Sequence, residues 1–329
     1  MTLLAVKDLT VSLRSGQQSA PIVDGLSLQI EAGQCLGIVG ESGSGKSTVA
    51  LAVMGLLDKN ALQVGGQVAL DGTDLVGLSA AALRVRQGRD IAMIFQDPAS
   101  SLNPVQTIGA QIVESLRAHR RMSRTEARTR AIDALTRVGM PDPTGMMRRY
   151  PHQLSGGQRQ RVMIAMAIVL KPRLLVADEP TTALDLTIQA QILVLLKGLV
   201  RETNMALLLI THDLGVVAQM ADQVIVLYAG RAVETGPVGQ VLDHPRHPYT
   251  IGLMAAHPTP ENRGQRLTPI PGAPPRLGAR PKGCAFHPRC PLAEEACLAA
   301  TPISVDLPGG QKAACLHLDA TLGSAHEPA

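Results

Sequence analysis

Aromatic side chains are scarce in this chain: 329 residues include no tryptophan, two phenylalanines and three tyrosines. None precedes Phe95, which excludes an aromatic stacking platform in the N-terminal part of the chain. Long apolar runs are also missing. The apolar stretch Met163 to Leu170, part of the longest, is far short of the ~20 residues needed to cross a bilayer, and no basic, apolar, then small-residue leader opens the sequence. These absences predict a soluble, cytoplasmic chain without a secretory signal, so any membrane role falls to separate subunits. Charge of one sign is lacking too: Lys and Arg total 31 against 27 Asp and Glu, a balance of +4 that argues little about partners. Arg117, Arg120, Arg121, Arg124, Arg128 and Arg130 cluster on what reads as one helix, either a solvated face or a contact for an anionic surface. There is no internal repeat.

What is present is aliphatic. A hydrophobic content of 45% over this length is enough for a sizeable core, one large domain and an appendage. Its most specific local signal is Gly40-Glu41-Ser42-Gly43-Ser44-Gly45-Lys46-Ser47-Thr48, in which Gly40, Gly45, Lys46 and Ser47 complete G-x-x-x-x-G-K-[ST]. The glycines let backbone N–H groups turn inward around a β-phosphate, Lys46 reaches the β- and γ-phosphates, and Ser47 offers a hydroxyl to Mg²⁺. Cys35 to Val39 is an apolar run of strand length and Ser47 to Leu57 reads as a helix, which puts the phosphates at a helix N-terminus. Cys35, on that strand, reads as a small buried hydrophobe.

Other segments supply the chemistry that such a loop needs. Leu174-Leu175-Val176-Ala177-Asp178-Glu179 is a buried-strand pattern ending in two carboxylates. Asp178 at the strand's end suits Mg²⁺, directly or through water, and Glu179 can polarise a water in line with the γ-phosphate. The strand Ala206 to Ile210 ends in Thr211-His212-Asp213, where His212 can reach the γ-phosphate; alone it would read as structural.

The phosphate loop, Phe95-Gln96-Asp97, Leu154-Ser155-Gly156-Gly157-Gln158, Leu175 to Glu179, Ala183-Leu184-Asp185 and His212 together closely resemble the ATP-binding-cassette ATPases in order and spacing. The resemblance implies an α/β P-loop fold with a helical subdomain insert, and ATP with Mg²⁺ as cofactors. It implies that Gln96 senses Mg²⁺ and the attacking water, that Ser155 and Gly157 contact the γ-phosphate held by an opposite subunit, and that Asp185 lies at the seam of a head-to-tail pair. Ser155-Gly156-Gly157 before a helical stretch makes physical sense there as a second amide-rich N-terminus. Gln96-Asp97-Pro98, Ser100 to Pro104, Tyr150 to Gln153 and His247-Pro248-Tyr249-Thr250 resemble more narrowly the ATPase subunits of bacterial oligopeptide, dipeptide and nickel importers, over about Leu4 to Cys315. The partners then implied are a second ATPase subunit, identical or paralogous, two membrane-spanning permease subunits and an extracytoplasmic substrate-binding protein, without nucleic acid, at the cytoplasmic face of the inner membrane. One family feature departs: the aromatic that stacks on adenine near the end of the first strand is replaced here by Leu13.

The motifs divide the chain into an ATPase domain over residues 1–257, with a mostly helical insert at about 96–155, and a C-terminal extension over 258–329. Pro258, Pro260, Pro269, Pro271, Pro274, Pro275 and Pro281 mark a linker without regular periodicity. Beyond it lie Cys284, Cys290, Cys297 and Cys315 in the spacing C-x5-C-x6-C-x17-C. Disulfides are not expected in a cytosolic ATPase, which leaves soft-metal ligation by an iron–sulfur cluster, structural Zn²⁺, or no metal. The spacing lacks a tight C-x2-C knuckle and resembles the cysteine motif of the peptide-importer ATPases, for which a [4Fe–4S] cluster is the implied occupant. Two functions compete with import of peptides, nickel or another small solute. One is a soluble cassette acting on nucleic acid or ribosomes, disfavoured by the absence of tandem cassettes and long coiled-coil insertions. The other is an iron-sensing module with the ATPase as its output.

Overall fold

The computed structural model describes residues 2–14, 21–182, 184–257 and 267–318; Ala183, Pro258 and Pro260, singled out in the sequence, lie outside the described residues. The strands are β1 (Thr2–Leu13), β2 (Pro21–Glu31), β3 (Cys35–Val39), β4 (Leu62–Leu70), β5 (Thr73–Asp74), β6 (Ile91–Ile94), β7 (Leu174–Asp178), β8 (Ala206–Ile210), β9 (Gln223–Tyr228), β10 (Arg231–Pro237), β11 (Val305–Asp306) and β12 (Lys312–Ala313). The chain forms two compact units. One comprises Met1–Leu4, Gln29–Gln34 and Ala69–Ile210, the other Ala5–Leu28, Cys35–Val68 and Thr211–Ala329.

In the first unit β6, β7 and β8 run parallel, with Ile91 opposite Leu174 and Leu174 opposite Ala206. Every residue of the three is buried, as expected for parallel strands covered on both faces, which read as unbroken apolar runs. Between β6 and β7 lie the helices Pro98–Ser101, Ile108–His119, Arg124–Arg137, Pro143–Met146 and Gly156–Ile168. The arginine cluster is carried by two of them and not by one. Arg120 ends the helix Ile108–His119, and the Ser123 side chain caps the next by accepting from Glu126 N at 3.1 Å, so a fresh helix start interrupts the run. Its arginines are mostly exposed, and Arg130 pairs with Glu126 one turn earlier on the same helix, at 2.9 Å. Those observations favour the solvated face.

In the second unit β3 pairs in parallel with β9, and β9 is antiparallel to β10. Portions of β2, β1 and β4 form a further sheet in that order. The loop after β3 leads into the helix Lys46–Met54, which stops short of Leu57 because Gly55 takes the left-handed C-cap conformation at φ 66°. The Cys-rich segment is built into this unit: β12 pairs with β10, Glu234 opposite Ala313, and β11 pairs with β12. A buried carboxylate fastens the arrangement. Glu234 on β10 accepts from Arg246 N at 2.7 Å, His247 N at 2.9 Å and Gln311 Nε2 at 2.6 Å, and burial raises its pKa. No helix among the described residues is long and apolar enough to cross a membrane.

His247 is enclosed beside this network and accepts from Tyr249 N through Nδ1 at 3.0 Å; burial alone lowers its pKa from 6.5 to about 3. A group whose folded pKa is depressed contributes stability above its unfolded value and loses it as the pH falls. Unfolding free energy should therefore drop between pH 6.5 and 3 by at most about 1.4 kcal/mol per unit on account of this residue. His247→Gln, which keeps an acceptor and cannot be protonated there, should show the shallower slope in denaturant titrations across that range; an identical slope would assign the loss to other groups.

Candidate functional site

The phosphate-type loop lies in the second unit, between β3 and the helix Lys46–Met54. A Cβ on Gly40 would collide with the backbone oxygen of Leu227, and one on Gly45, at φ 103°, would come within 3.0 Å of Ile22 O, so close backbone approach fixes glycine at both positions. Lys46 is buried, and its Nζ donates to Gly40 O at 2.7 Å and Glu41 O at 2.9 Å, spanning the loop it follows. Ser42, Gly43 and Ser47 are exposed and Thr48 half-buried. The helix carries no side-chain cap at Gly45, and the buried Ser44 Oγ makes no hydrogen bond among the described residues. Glycines that admit backbone, an uncapped helix start and an unpartnered hydroxyl together fit a phosphate group. His212 is exposed after β8, flanked by Thr211, whose N–H bonds Ile38 O at 3.2 Å, and by Asp213, which caps the helix Leu214–Met220. Leu13 is half-buried at the end of β1.

Sequence reasoning missed Glu41. Its N–H donates to Tyr249 Oη at 2.8 Å, and its carboxylate takes both ends of the Arg289 guanidinium, Nη1 at 2.6 Å and Nη2 at 2.9 Å. The two residues are 248 positions apart, beyond the reach of any local pattern.

The first unit carries the remaining residues. Asp178 ends β7 and is 5% exposed. Glu179 follows at φ 47°, a conformation that side chains resist, held by its N–H on Ile210 O at 2.8 Å. Its Oε2 accepts from Gln96 Nε2 at 3.0 Å and Thr182 Oγ1 at 2.8 Å, so the structure brings Gln96 and Glu179 together. Ser155 caps the helix Gly156–Ile168 in a reciprocal box with Gln158, accepting from its N–H at 3.3 Å and donating backbone N–H to its Oε1 at 3.1 Å. Gly157 faces Ile188, whose Cγ2 would lie 2.8 Å from a Cβ placed there. Asp185 caps that neighbouring helix, Leu186–Thr203, accepting from Ile188 N at 2.9 Å. Gly157 thus lies against the first turn of the Asp185-capped helix.

Residues 23–182 match the family model described as ABC transporter, and residues 233–297 that of the oligopeptide/dipeptide transporter C-terminal region. The oligopeptide transport ATP-binding protein OppD of Salmonella typhimurium is 48% identical over 311 residues, 94% of this chain and 92% of that one. The dipeptide transport ATP-binding protein DppD of Escherichia coli is 49% identical over 317 residues, 96% of each. The chain belongs to the ABC transporter family. Among solved structures, the dimeric ATP-binding cassette MJ0796 in a post-hydrolysis state with ADP and Pi aligns with a TM-score of 0.64 at 30% identity, covering 71% of this chain and 98% of that one. The protein cbiO1 from Clostridium perfringens, part of the ABC transporter complex cbiONQ, gives 0.62 at 27%, covering 73% of this chain and 90% of that one.

The matched C-terminal region contains Cys284, Cys290 and Cys297 and ends before Cys315. Cys284 N donates to Cys297 O at 2.8 Å, Cys297 Sγ lies 3.3 Å from His317 Nε2, and Cys315 Sγ accepts from His317 N at 3.3 Å. Burial, with a smaller contribution from the neighbouring thiols, raises the pKa of Cys284 and Cys315 and pushes Cys290 up to about 11. Among the described residues, however, no group of three or more Cys, His, Asp and Glu side chains is arranged to hold a metal ion. The thiols as they stand do not fit the iron–sulfur ligand set that the resemblance implies. Cys35 is a buried strand residue, 3% exposed, whose N–H donates to Asp222 Oδ2 at 2.8 Å.

Because Gly40 sits against the Leu227 carbonyl, Gly40→Ala should shift the loop. The expected outcome is ATP affinity at least about tenfold weaker and a loss of about 1–3 kcal/mol in stability, the usual cost of a strained backbone position. Nucleotide titration and thermal melts check both, and wild-type values in the two would show that the loop tolerates the methyl.

Proposed function

We propose that this chain is the ATP-hydrolysing subunit of a bacterial peptide importer, coupling ATP binding and hydrolysis to uptake of dipeptides or oligopeptides through separate membrane subunits. The observation that carries this reading is the near full-length identity to ATP-binding proteins named for oligopeptide and dipeptide transport, together with the matching C-terminal region. In this reading Gly40, Ser42, Gly43, Gly45, Lys46, Ser47 and Thr48 bind the phosphates of ATP. Ser47, Gln96 and Asp178 serve Mg²⁺, Glu179 is the general base, and His212 acts at the γ-phosphate. Ser155, Gly156, Gly157 and Asp185 serve a second cassette, so that ATP closes the pair and product release reopens it. The hydrogen bond from Gln96 to Glu179 supports a shared role at the attacking water, and the unpartnered Ser44 hydroxyl supports an anionic ligand on the loop. The partners proposed are a second cassette, two permease subunits and an extracytoplasmic binding protein, with this chain peripheral at the cytoplasmic membrane face.

Glu179→Gln keeps shape and loses the proton-accepting charge. In the assembled complex it should leave ATP binding intact and slow hydrolysis by roughly 10²–10⁴-fold, the usual contribution of a general base. Lys46→Ala should weaken nucleotide binding instead. Hydrolysis at the wild-type rate by the Glu179 variant would remove it from that role.

Soft-metal ligation by Cys284, Cys290, Cys297 and Cys315 rests on the thiol set and its resemblance, and requires the side chains to reorient. Protein purified without oxygen should then be brown, with broad absorption near roughly 400 nm, and Cys290→Ser should bleach it. Colourless, metal-free protein would remove the cysteines from metal chemistry, and stoichiometric zinc would replace the cluster with a structural site.

A further inference from the structure

Arg289 occupies the second unit's interior as a charge that serves the phosphate loop. Its side chain is 4% exposed, and each guanidinium nitrogen is engaged: Nη1 and Nη2 on the two Glu41 oxygens, and Nε on Pro271 O at 2.8 Å. The guanidinium carbon stands 5.8 Å from the Tyr228 ring centre and 6.0 Å from that of Phe286. The partner carboxylate is 27% exposed and belongs to the residue directly after Gly40, whose own oxygen accepts from Lys46. Glu41 O is the second acceptor of Lys46 Nζ, and Glu41 N is fixed by Tyr249. One residue thereby has its side chain set by Arg289, its amide by Tyr249 and its carbonyl by the lysine of the loop.

On this geometry we propose that Arg289 is a positioning residue for the phosphate-binding loop, making nucleotide affinity depend on the fold of the C-terminal Cys-rich segment. The pair is bidentate, so it fixes the orientation of Glu41 as well as its distance, which a single contact from a lysine does not. Arg289 immediately precedes Cys290 and ends the short 3-10 turn His287–Arg289, in which His287 N bonds Cys284 O at 3.1 Å. Any change in how the segment around Cys284 and Cys290 is folded therefore moves the guanidinium that holds Glu41. Linkage makes the effect reciprocal: a nucleotide that favours the held loop also favours the folded segment.

The inference rests on the reading of this loop as an ATP site, and the experiment separates the two. ATP affinity is measured by titration on full-length wild type, Lys46→Ala, Arg289→Met, Glu41→Gln, the Arg289→Met/Glu41→Gln double variant and Arg289→Lys, with melting curves for each. Arg289→Met and Glu41→Gln should each weaken ATP binding about tenfold, equivalent to about 1.4 kcal/mol. The double variant should lose no more than the worse single, and Arg289→Lys should recover part of the loss. In the assembled complex the KM for ATP should rise by a similar factor while kcat stays within twofold, a split that a purely structural anchor does not produce. ATP should also slow proteolysis of the segment around residues 284–297 in wild type and not in Arg289→Met. Should Arg289→Met fail to fold, Glu41→Gln, at the more exposed partner, decides alone. ATP affinities within twofold of wild type in folded variants, or additive losses in the double, would overturn the proposal while leaving the ATP site intact. A wild type that binds ATP no better than Lys46→Ala would overturn the reading of the loop itself.

Discussion

A guanidinium taken out of water must have its donors satisfied, and around Arg289 that requirement organises much of the second unit. Burying an ion costs several kcal/mol unless excellent geometry and further hydrogen bonds repay it, and removing one partner from such a pair is more damaging than never having made it. Here the repayment comes from Glu41 on the loop and from the Pro271 carbonyl in the irregular proline-rich stretch. That stretch reads from sequence as a spacer between a catalytic domain and an appendage. Its carbonyl helps to hold a charge whose counter-ion is a loop residue, and β12, beyond it in the chain, pairs with β10.

The scarcity of aromatics gains meaning in this setting. Three of the five in the chain, Tyr228, Tyr249 and Phe286, sit together, with ring centres 4.6 to 5.4 Å apart and tilted or edge-on geometry. Such arrangements place ring edges against ring faces, which the aromatic quadrupole favours, and the faces also suit a cation such as Arg289. Each ring comes from a different part of the chain: Tyr228 from β9, Tyr249 from the helix Pro248–Ala255 and Phe286 from the Cys-rich segment. An otherwise aliphatic core thus spends its large rigid side chains where a loop, a sheet and a C-terminal segment meet.

What the sequence made legible was what local chemistry determines. The strands Cys35–Val39 and Ala206–Ile210 were readable because strands buried on both faces are near-continuous apolar runs. The helix start at Ser155-Gly156-Gly157 was readable as an amide-rich N-terminus, and the structure adds the reciprocal box with Gln158. Legibility failed where the determinant was distant or subtle. The helix after the loop ends early because Gly55 adopts a left-handed cap, a stronger signal than the apolar Leu56 and Leu57 that follow. The arginine run looked continuous because periodicity alone does not weigh the cap at Ser123. Glu41 with Arg289 and Glu234 with Gln311 were invisible, since each joins residues 248 and 77 positions apart and leaves no periodic trace.

Glu179 shows how the local and the distant combine. Its position after an apolar strand was plain from sequence, but its backbone is not an ordinary strand end: at φ 47° it stores strain that its bond to Ile210 O and the turn to Thr182 must hold. Positive φ in a bulky residue persists only where the surroundings over-determine it, and here the surroundings include the two parallel strands β7 and β8 in register at Asp178 and Ile210. Leaving the strand in this way lets one carboxylate oxygen accept from both Gln96 and Thr182, fixing the side chain from two directions. The strain is therefore tied to orientation. A relaxed backbone at this position would leave the same carboxylate on the same strand without a fixed direction, and direction is what the role of base proposed for Glu179 requires.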